Sequence, residues 1–237
     1  MSDLRIALIA EGTTDEIVID AALRAILKQR TYVLTLLQPE ETDALGGHAP
    51  TIGGGWGGVY RWCLQKRAMS PASGPHAMLE GYDLVLFHVD ADVARAHYSE
   101  AGIQMATDNE LPCALPCPPA MDTVNALRAV VAGWPGLEMV SQQPVYCIPS
   151  QSSETWMVAA LFEEMRSDIL ECRDDLEQWL SRRPKNFKLV RMKQGHPKKQ
   201  KQRYRNHAAT LTRNWEAVKE ACATARLFEE EMGMALR

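Results

Sequence analysis

Two short apolar segments of this chain end in acidic residues, and this pattern constrains the fold most. LRIALI at 4–9 leads to Glu11, and LVLFHV at 84–89 leads to Asp90 and Asp92. Such short, nearly continuous apolar runs are typical of strands buried on both faces of a parallel sheet. Ligand sites of open α/β sheets lie at the carboxyl ends of the strands, so the three carboxylates are expected to converge there. Because converging carboxylates repel one another, the pattern predicts a site for a hard divalent cation such as Mg²⁺.

The rest of the chain alternates between strand-like and helix-like segments, which predicts an α/β fold with a largely parallel, four-stranded sheet flanked by helices. The strands are predicted at 4–10, 31–37, 83–89 and 144–148. Helices are predicted at 15–29, 59–69 and 122–132, after Ser150–Ser153, and from about 169 to 232 with a break at 184–199. The glycine-rich GGGWGG at 53–58 is predicted to be a flexible approach to the second helix.

Charge is unevenly distributed, with a net −11 over residues 1–170 and a net +7 over residues 171–237. Residues 1–165 are predicted to form the α/β domain, with an irregular insertion at about 98–121, and residues 166–237 a basic, mainly helical extension packed on the core. The segment 178–215 contains 12 basic residues and no acidic one. Such a segment is typical of a contact with a polyanion, although a solvated basic face is the alternative. The predicted nucleic-acid contacts are Arg182, Arg183, Lys185, Lys188, Lys198, Lys199, Lys201, Arg203 and Arg205.

The remaining composition narrows the class of protein. No apolar run approaches the roughly 18 residues that a membrane span requires, and the first residues lack a signal-peptide pattern, so a cytoplasmic protein is expected. The six cysteines show no framework spacing and are expected to be reduced thiols packed as small hydrophobic residues. His88 lies inside a predicted strand and is expected to be packed or hydrogen-bonded rather than a ligand.

The acidic residues also occur in a familiar order. Glu11-Gly12 with Asp15 follows the first strand, Asp90-x-Asp92 follows the third, and Glu154-x-Trp156 follows the last. This arrangement resembles Toprim domains, and IALIAEGTTDEIVIDAAL most resembles the OLD-type prokaryotic branch. The resemblance covers residues 4–162 and implies a Toprim-like variant of the Rossmann-like fold, in a Mg²⁺- or Mn²⁺-dependent nuclease holding one or two ions.

The resemblance also implies roles for individual residues. Glu11, Asp90 and Asp92 would form the catalytic metal centre, in which Glu11 is a ligand or a general acid/base. Asp15 and Glu154 would be ligands of a second ion. The alternatives are a first-turn helix acid for Asp15 and a salt bridge to the basic extension for Glu154. The partners would be nucleic acid (DNA rather than RNA), an ATPase protein in a phage-defence or mobile-element system, and a second copy in a homodimer. No membrane partner is expected.

Two other functions fit the same residues. One is a non-catalytic binding or assembly subunit that uses the fold as RecR-like proteins do. The other is a metal-dependent phosphotransfer enzyme acting on a small substrate, since Asp-x-Asp also serves such sites. The basic segment favours a nucleic-acid substrate over a small molecule. The chain contains no Walker A sequence, so any use of ATP would come from a partner protein.

Overall fold

A computed structural model describes residues 3–39, 52–69, 79–104, 111–135 and 144–237. Part of the predicted insertion at 98–121 lies outside these ranges. The strands are β1 Leu4–Ile9, β2 Tyr32–Gln38, β3 Leu84–His88, β4 Val145–Cys147, β5 Val190–Lys193 and β6 His196–Lys199. The helices are α1 Thr13–Leu27, α2 Gly55–Met69, α3 Ala120–Gly133, α4 Glu154–Leu161, α5 Leu176–Ser181, α6 Lys201–Arg213, α7 Trp215–Ala221 and α8 Ala223–Ala235.

The first four strands form one parallel sheet in the order β2-β1-β3-β4, which confirms the predicted α/β class. Side chains alternate across β1, so Ile6 and Leu8 belong to a core on one face while Ala7 and Ile9 belong to a core on the other. Both faces are therefore covered, which explains the continuous apolar run. The arrangement is compatible with a Rossmann-like fold. None of the described helices is long and apolar enough to cross a membrane.

The two cores differ in how much of the chain builds them. The first contains residues of α1, α4 and all three C-terminal helices, including Tyr204, Trp215 and Phe228. The second contains residues of α2 and α3, such as Trp62 and Leu127. The C-terminal segment is thus packed directly against the sheet. Its predicted break at 184–199 contains the antiparallel hairpin β5–β6, whose turn places Gln194 and Gly195 at positive φ.

One margin of the sheet is closed by a side chain from α8. The Tyr146 amide of the edge strand β4 donates a hydrogen bond to Glu231 Oε2 at 3.3 Å. Arg128 on α3 is ion-paired with Oε1 of the same carboxylate. Its guanidinium also lies 5.6 Å from the centre of the Tyr146 ring. Helix α8 is therefore fixed beside β4 by polar as well as apolar contacts.

Two predictions about small residues are wrong. Cys117 and Cys172 form a disulfide and are not reduced thiols. The pairing joins segments 55 residues apart, which spacing alone does not indicate. The glycine-rich segment does not merely lead up to a helix, because α2 already begins at Gly55. Its glycines permit close packing instead: a Cβ on Gly57 would lie 2.7 Å from the Ala101 Cβ.

We expect Gly58→Ala to lower the free energy of unfolding by about 1–3 kcal/mol, because overpacking a filled space forces neighbours to move. A Cβ there would lie 2.6 Å from Gln38 Nε2 and still closer to the Gly53 carbonyl oxygen. Gly233→Ala is the matched control, since a Cβ there would meet no described atom within 4 Å apart from its chain neighbours and the backbone of α8 itself. It should stabilise the protein by up to about 1 kcal/mol. Urea unfolding measures both, and equal stabilities would contradict the packing argument.

Candidate metal centre

Two predicted acidic strand ends meet at the carboxyl edge of the sheet. Glu11 follows β1 and Asp90 follows β3, and the Asp90 amide donates a hydrogen bond to Glu11 Oε1 at 2.8 Å. The loop after β4 joins the same edge, because the Ser153 amide donates to Asp90 Oδ1 at 2.8 Å. The ends of three adjacent strands are therefore linked through the carboxylates of Glu11 and Asp90.

Asp15 lies inside this cluster rather than on the surface of α1. It stands in the first turn of the helix and is only 2% exposed. The Ser153 hydroxyl donates to Asp15 Oδ1 at 2.8 Å, so Ser153 links Asp15 to Asp90. Helix α1 places Asp15 here because it begins immediately after Gly12 at the tip of β1.

Glu154 is the most deeply buried acid of the cluster and has no exposed surface. Tyr204 of α6 donates a hydrogen bond to its Oε1 atom, and Lys199 Nζ lies 3.0 Å from its Oε2 atom. A salt bridge between Glu154 and the basic extension, one of the two alternatives for this residue, is thus present. Glu154 nevertheless lies beside the other acids, because the same lysine reaches them.

Lys199 is the shared counter-ion of four acids at this edge of the sheet. Its Nζ atom lies 3.6 Å from Asp15 Oδ1, 3.8 Å from Asp90 Oδ2 and 4.0 Å from Glu177 Oε1, in addition to Glu154. The hairpin delivers this lysine, because Lys199 is the last residue of β6 and pairs with the buried Val190. One ammonium group thus faces four carboxylates.

This crowding shifts the pKa of each group in a direction set by its neighbours. Burial raises the pKa of Glu11 well above its ordinary value, and the charges of Asp90, Asp92 and Asp15 raise it further. Burial would also raise the pKa of Asp15, but Lys199, the charge of His88 and the Ser153 hydrogen bond lower it below its usual value. Without a metal, Asp15 is therefore the ionised acid and Glu11 the one that most readily holds a proton.

The ammonium group responds in the opposite sense. Burial would lower the pKa of Lys199, but Glu154, Asp15 and Asp90 together raise it well above its ordinary value. Lys199 therefore remains charged at neutral pH. Its charge offsets part of the repulsion among the acids, which is the role that the sequence pattern assigned to a metal ion.

His88, Asp15 and Asp90 form the group best arranged to hold an ion among the described residues. One ligand atom from each lies within 4.8 Å of the others, and all three side chains are buried. His88 and Asp90 point to the same face because they are two residues apart at the end of β3. His88 is packed as expected, yet neither of its ring nitrogens has a hydrogen-bond partner in the described structure.

Asp92 occupies a more open position than the other acids. It lies in the short 3-10 turn Ala91–Arg95, and its amide donates to the Gln151 carbonyl at 3.0 Å. Its side chain is exposed to solvent. Neighbouring protein atoms nevertheless shield part of its carboxylate from water. This shielding, and then the charge of Asp90, raise the pKa of Asp92 to about 7. Asp92 is thus placed to meet a ligand that approaches from solvent.

The predicted nucleic-acid residues do not form one uniform surface. Lys199 points into the acid cluster, whereas Arg191 and Lys198 lie opposite each other on the outer face of the hairpin, both exposed. Arg183 lies over the Trp179 ring, 4.0 Å from its centre. Of the remaining predicted contacts, Arg182, Lys185 and Arg205 are exposed, and Lys188, Lys201 and Arg203 are half-buried.

Sequence reasoning missed several residues of the centre. The sequence pattern assigned none of Ser153, Tyr204 and Glu177 to the site. It predicted Lys199 as a nucleic-acid contact and not as a partner of the carboxylates. Only the strand position of His88, two residues before Asp90, carried a usable signal.

Comparison with known proteins identifies no relative: no family model, no curated protein and no solved structure matches the chain. The chemistry of this centre is therefore argued from its geometry.

We expect Lys199→Met to lower the free energy of unfolding by about 3 kcal/mol at neutral pH, because it removes the counter-ion and leaves buried carboxylates uncompensated. Lys198→Met is the matched control. Lys198 is the exposed neighbour on the outer face of β6, so its substitution should change stability by less than about 0.5 kcal/mol. Urea unfolding in the presence of a chelator measures both variants. A Lys199→Met protein as stable as wild type would show that the ion pairs do not hold the cluster.

Proposed function

We propose that this protein is a divalent-metal-dependent phosphodiester hydrolase that acts on nucleic acid and belongs to the Toprim-like proteins. The observation that carries the proposal is the convergence of Asp15, Asp90 and Glu154 around the Lys199 ammonium group at the carboxyl edge of the sheet, with Glu11 hydrogen-bonded to the Asp90 amide beside them. Their order along the chain is the one that the Toprim resemblance rests on, and the parallel sheet is compatible with that fold.

The residues present fit a divalent ion. Carboxylate oxygens are the ligands that Mg²⁺ and Mn²⁺ prefer, and the acids Asp15, Asp90 and Glu154 are all buried here. Asp15 and Asp90 would hold one ion, and Glu154 and Asp92 supply the acids for a second. A bound ion would polarise a phosphate oxygen and lower the pKa of its water.

The protein groups would share the rest of the chemistry. Glu11, whose pKa is raised, can hold a proton near neutral pH and deliver it to a leaving oxygen. Lys199 carries a permanent charge beside the same carboxylates and would stabilise the negative charge that develops on the phosphate. Asp92, at the open side, would complete the binding of the phosphate-bound ion.

The hairpin supports nucleic acid as the substrate. Arg191 and Lys198 are directly opposite each other across its two strands, and like charges at such positions destabilise a hairpin unless an anion binds between them. The same β6 strand carries Lys199 into the acid cluster. A phosphate backbone bound along the outer face would therefore contact the residue next to Lys199 and lie close to the candidate centre. We propose DNA as the substrate, and a phage-defence or mobile-element role with an ATPase partner, on the resemblance alone.

A non-catalytic assembly subunit is the second candidate, and one observation favours it. Lys199 already compensates Asp15, Asp90 and Glu154 without any metal. Such a cluster can serve stability rather than catalysis. This candidate predicts nucleic-acid binding that is independent of divalent ions and is not followed by cleavage.

We expect purified protein to nick supercoiled plasmid in Mg²⁺ or Mn²⁺. Asp90→Asn should reduce the rate at least about 100-fold, because loss of a metal ligand should cost at least as much as loss of a residue that only hydrogen-bonds to a ligand. Asp122→Asn, at an exposed acid in the first turn of α3, is the control that should keep full activity. Gel assays with and without chelator measure the rate. Equal nicking by Asp90→Asn and wild type would refute the hydrolase, and metal-independent binding alone would favour the assembly subunit.

We expect the double variant Arg191→Gln/Lys198→Gln to weaken binding of duplex DNA and to reduce the slope of log K against log salt by roughly 2, since each phosphate contact contributes about 0.9. Lys28→Gln/Arg30→Gln removes two exposed basic residues beyond the end of α1 and should leave the slope unchanged. Fluorescence anisotropy over a salt series measures both variants. If the two slopes are equal, the outer face of the hairpin does not contact phosphates.

A further inference from the structure

His88 is an anomaly in the acidic centre. Its side chain has no exposed surface, and neither ring nitrogen has a hydrogen-bond partner in the described structure. Leaving a buried polar group unpaired costs about 1–3 kcal/mol, and an orphan of this kind calls for a specific explanation. The nearest acid atom, Asp90 Oδ1, lies 3.4 Å from Nε2 without hydrogen-bond geometry.

His88 and its two acidic neighbours are close enough together to share one metal ion. Its ligand atom lies within 4.8 Å of one oxygen of Asp15 and one of Asp90. An ion about 2.1 Å from each ligand holds ligand atoms up to about 4.2 Å apart. A small inward movement of the three side chains would therefore bring all three ligand atoms onto one ion, and waters would complete its coordination shell. The resulting ligand set contains one imidazole and two carboxylates.

Lys199 lies closest to an acid that is not part of the His88 group. Its closest carboxylate is Glu154 at 3.0 Å, while Asp15 Oδ1 and Asp90 Oδ2 lie farther away, at 3.6 and 3.8 Å. Asp90 presents Oδ2 to the ammonium group and Oδ1 to His88. The lysine and an ion can thus use different oxygen atoms of the same carboxylate.

We propose that His88 is a metal ligand and that the centre selects a divalent transition metal of the Mn²⁺ or Co²⁺ kind over Mg²⁺. Imidazole is a common ligand for transition metals, whereas Mg²⁺ takes oxygen ligands and keeps several waters. Asp15, His88 and Asp90 form the binding group. This inference deepens the metal requirement of the proposed hydrolase, but it concerns ion binding alone and holds in the absence of substrate.

Mn²⁺ added to the full chain in one equivalent is the direct probe. Pulsed electron paramagnetic resonance should show coupling of the Mn²⁺ electron spin to an imidazole nitrogen in wild type. The signal should persist in His196→Gln, which removes an exposed histidine, and disappear in His88→Gln. The wild-type spectrum requires no variant to fold, and circular dichroism checks the variants.

Competition between Mn²⁺ and Mg²⁺ supplies a second readout. His88→Gln should lower the preference for Mn²⁺ over Mg²⁺ at least about tenfold, since even residues that only hydrogen-bond to a metal ligand contribute 10- to 100-fold to affinity. Mn²⁺ bound without nitrogen coupling and with an unchanged preference would overturn the role of His88 while leaving a metal-dependent hydrolase intact. Absence of any divalent-ion binding would overturn the inference and the proposed function together.

Discussion

The attraction between Lys199 and the carboxylates around it is the interaction on which the candidate centre depends. Asp15, Asp90 and Glu154 are buried, and burial of several like charges is costly unless an opposite charge accompanies them. Lys199 supplies that charge from the end of a hairpin far along the chain. Because the ammonium stands beside acids from β3, α1 and α4, it joins the C-terminal segment electrostatically to the sheet that carries the acids.

The sheet explains why these acids meet. Parallel strands leave their carboxyl ends at one edge, and here three neighbouring ends are linked by the amides of Asp90 and Ser153. The apolar alternation along β1 and β3 places helices on both faces, so the acids at the edge lie close to a core and are removed from water. Their shifted pKa values are a direct result of that position.

The parts of this arrangement that follow from local sequence were predictable. The buried strands and the acids Glu11 and Asp90 at their tips are visible as apolar runs ending in carboxylates. Asp15 was visible but ambiguous, because an acid in the first turn of a helix is favourable on its own. Its burial is accompanied by a hydrogen bond from Ser153, 138 residues away. A contact between residues so far apart cannot be inferred from a local sequence pattern.

Other features depend on contacts between distant segments and could not be predicted. The hairpin was obscured by Pro197, since proline argues against a strand, and by the lack of apolar alternation in β6. The position of Lys199 among the acids depends on that hairpin, and the Cys117–Cys172 bond depends on how two loops pack.

The contact between Glu231 and the Tyr146 amide has a consequence for self-assembly. In a strand of three residues, Val145 and Cys147 direct their amides toward β3, so Tyr146 holds the one amide of β4 that faces outward. With that donor occupied by a carboxylate, the outward-facing N–H of the described strand β4 is unavailable to an incoming chain. The edge is thereby protected against the strand-by-strand growth that leads to aggregates.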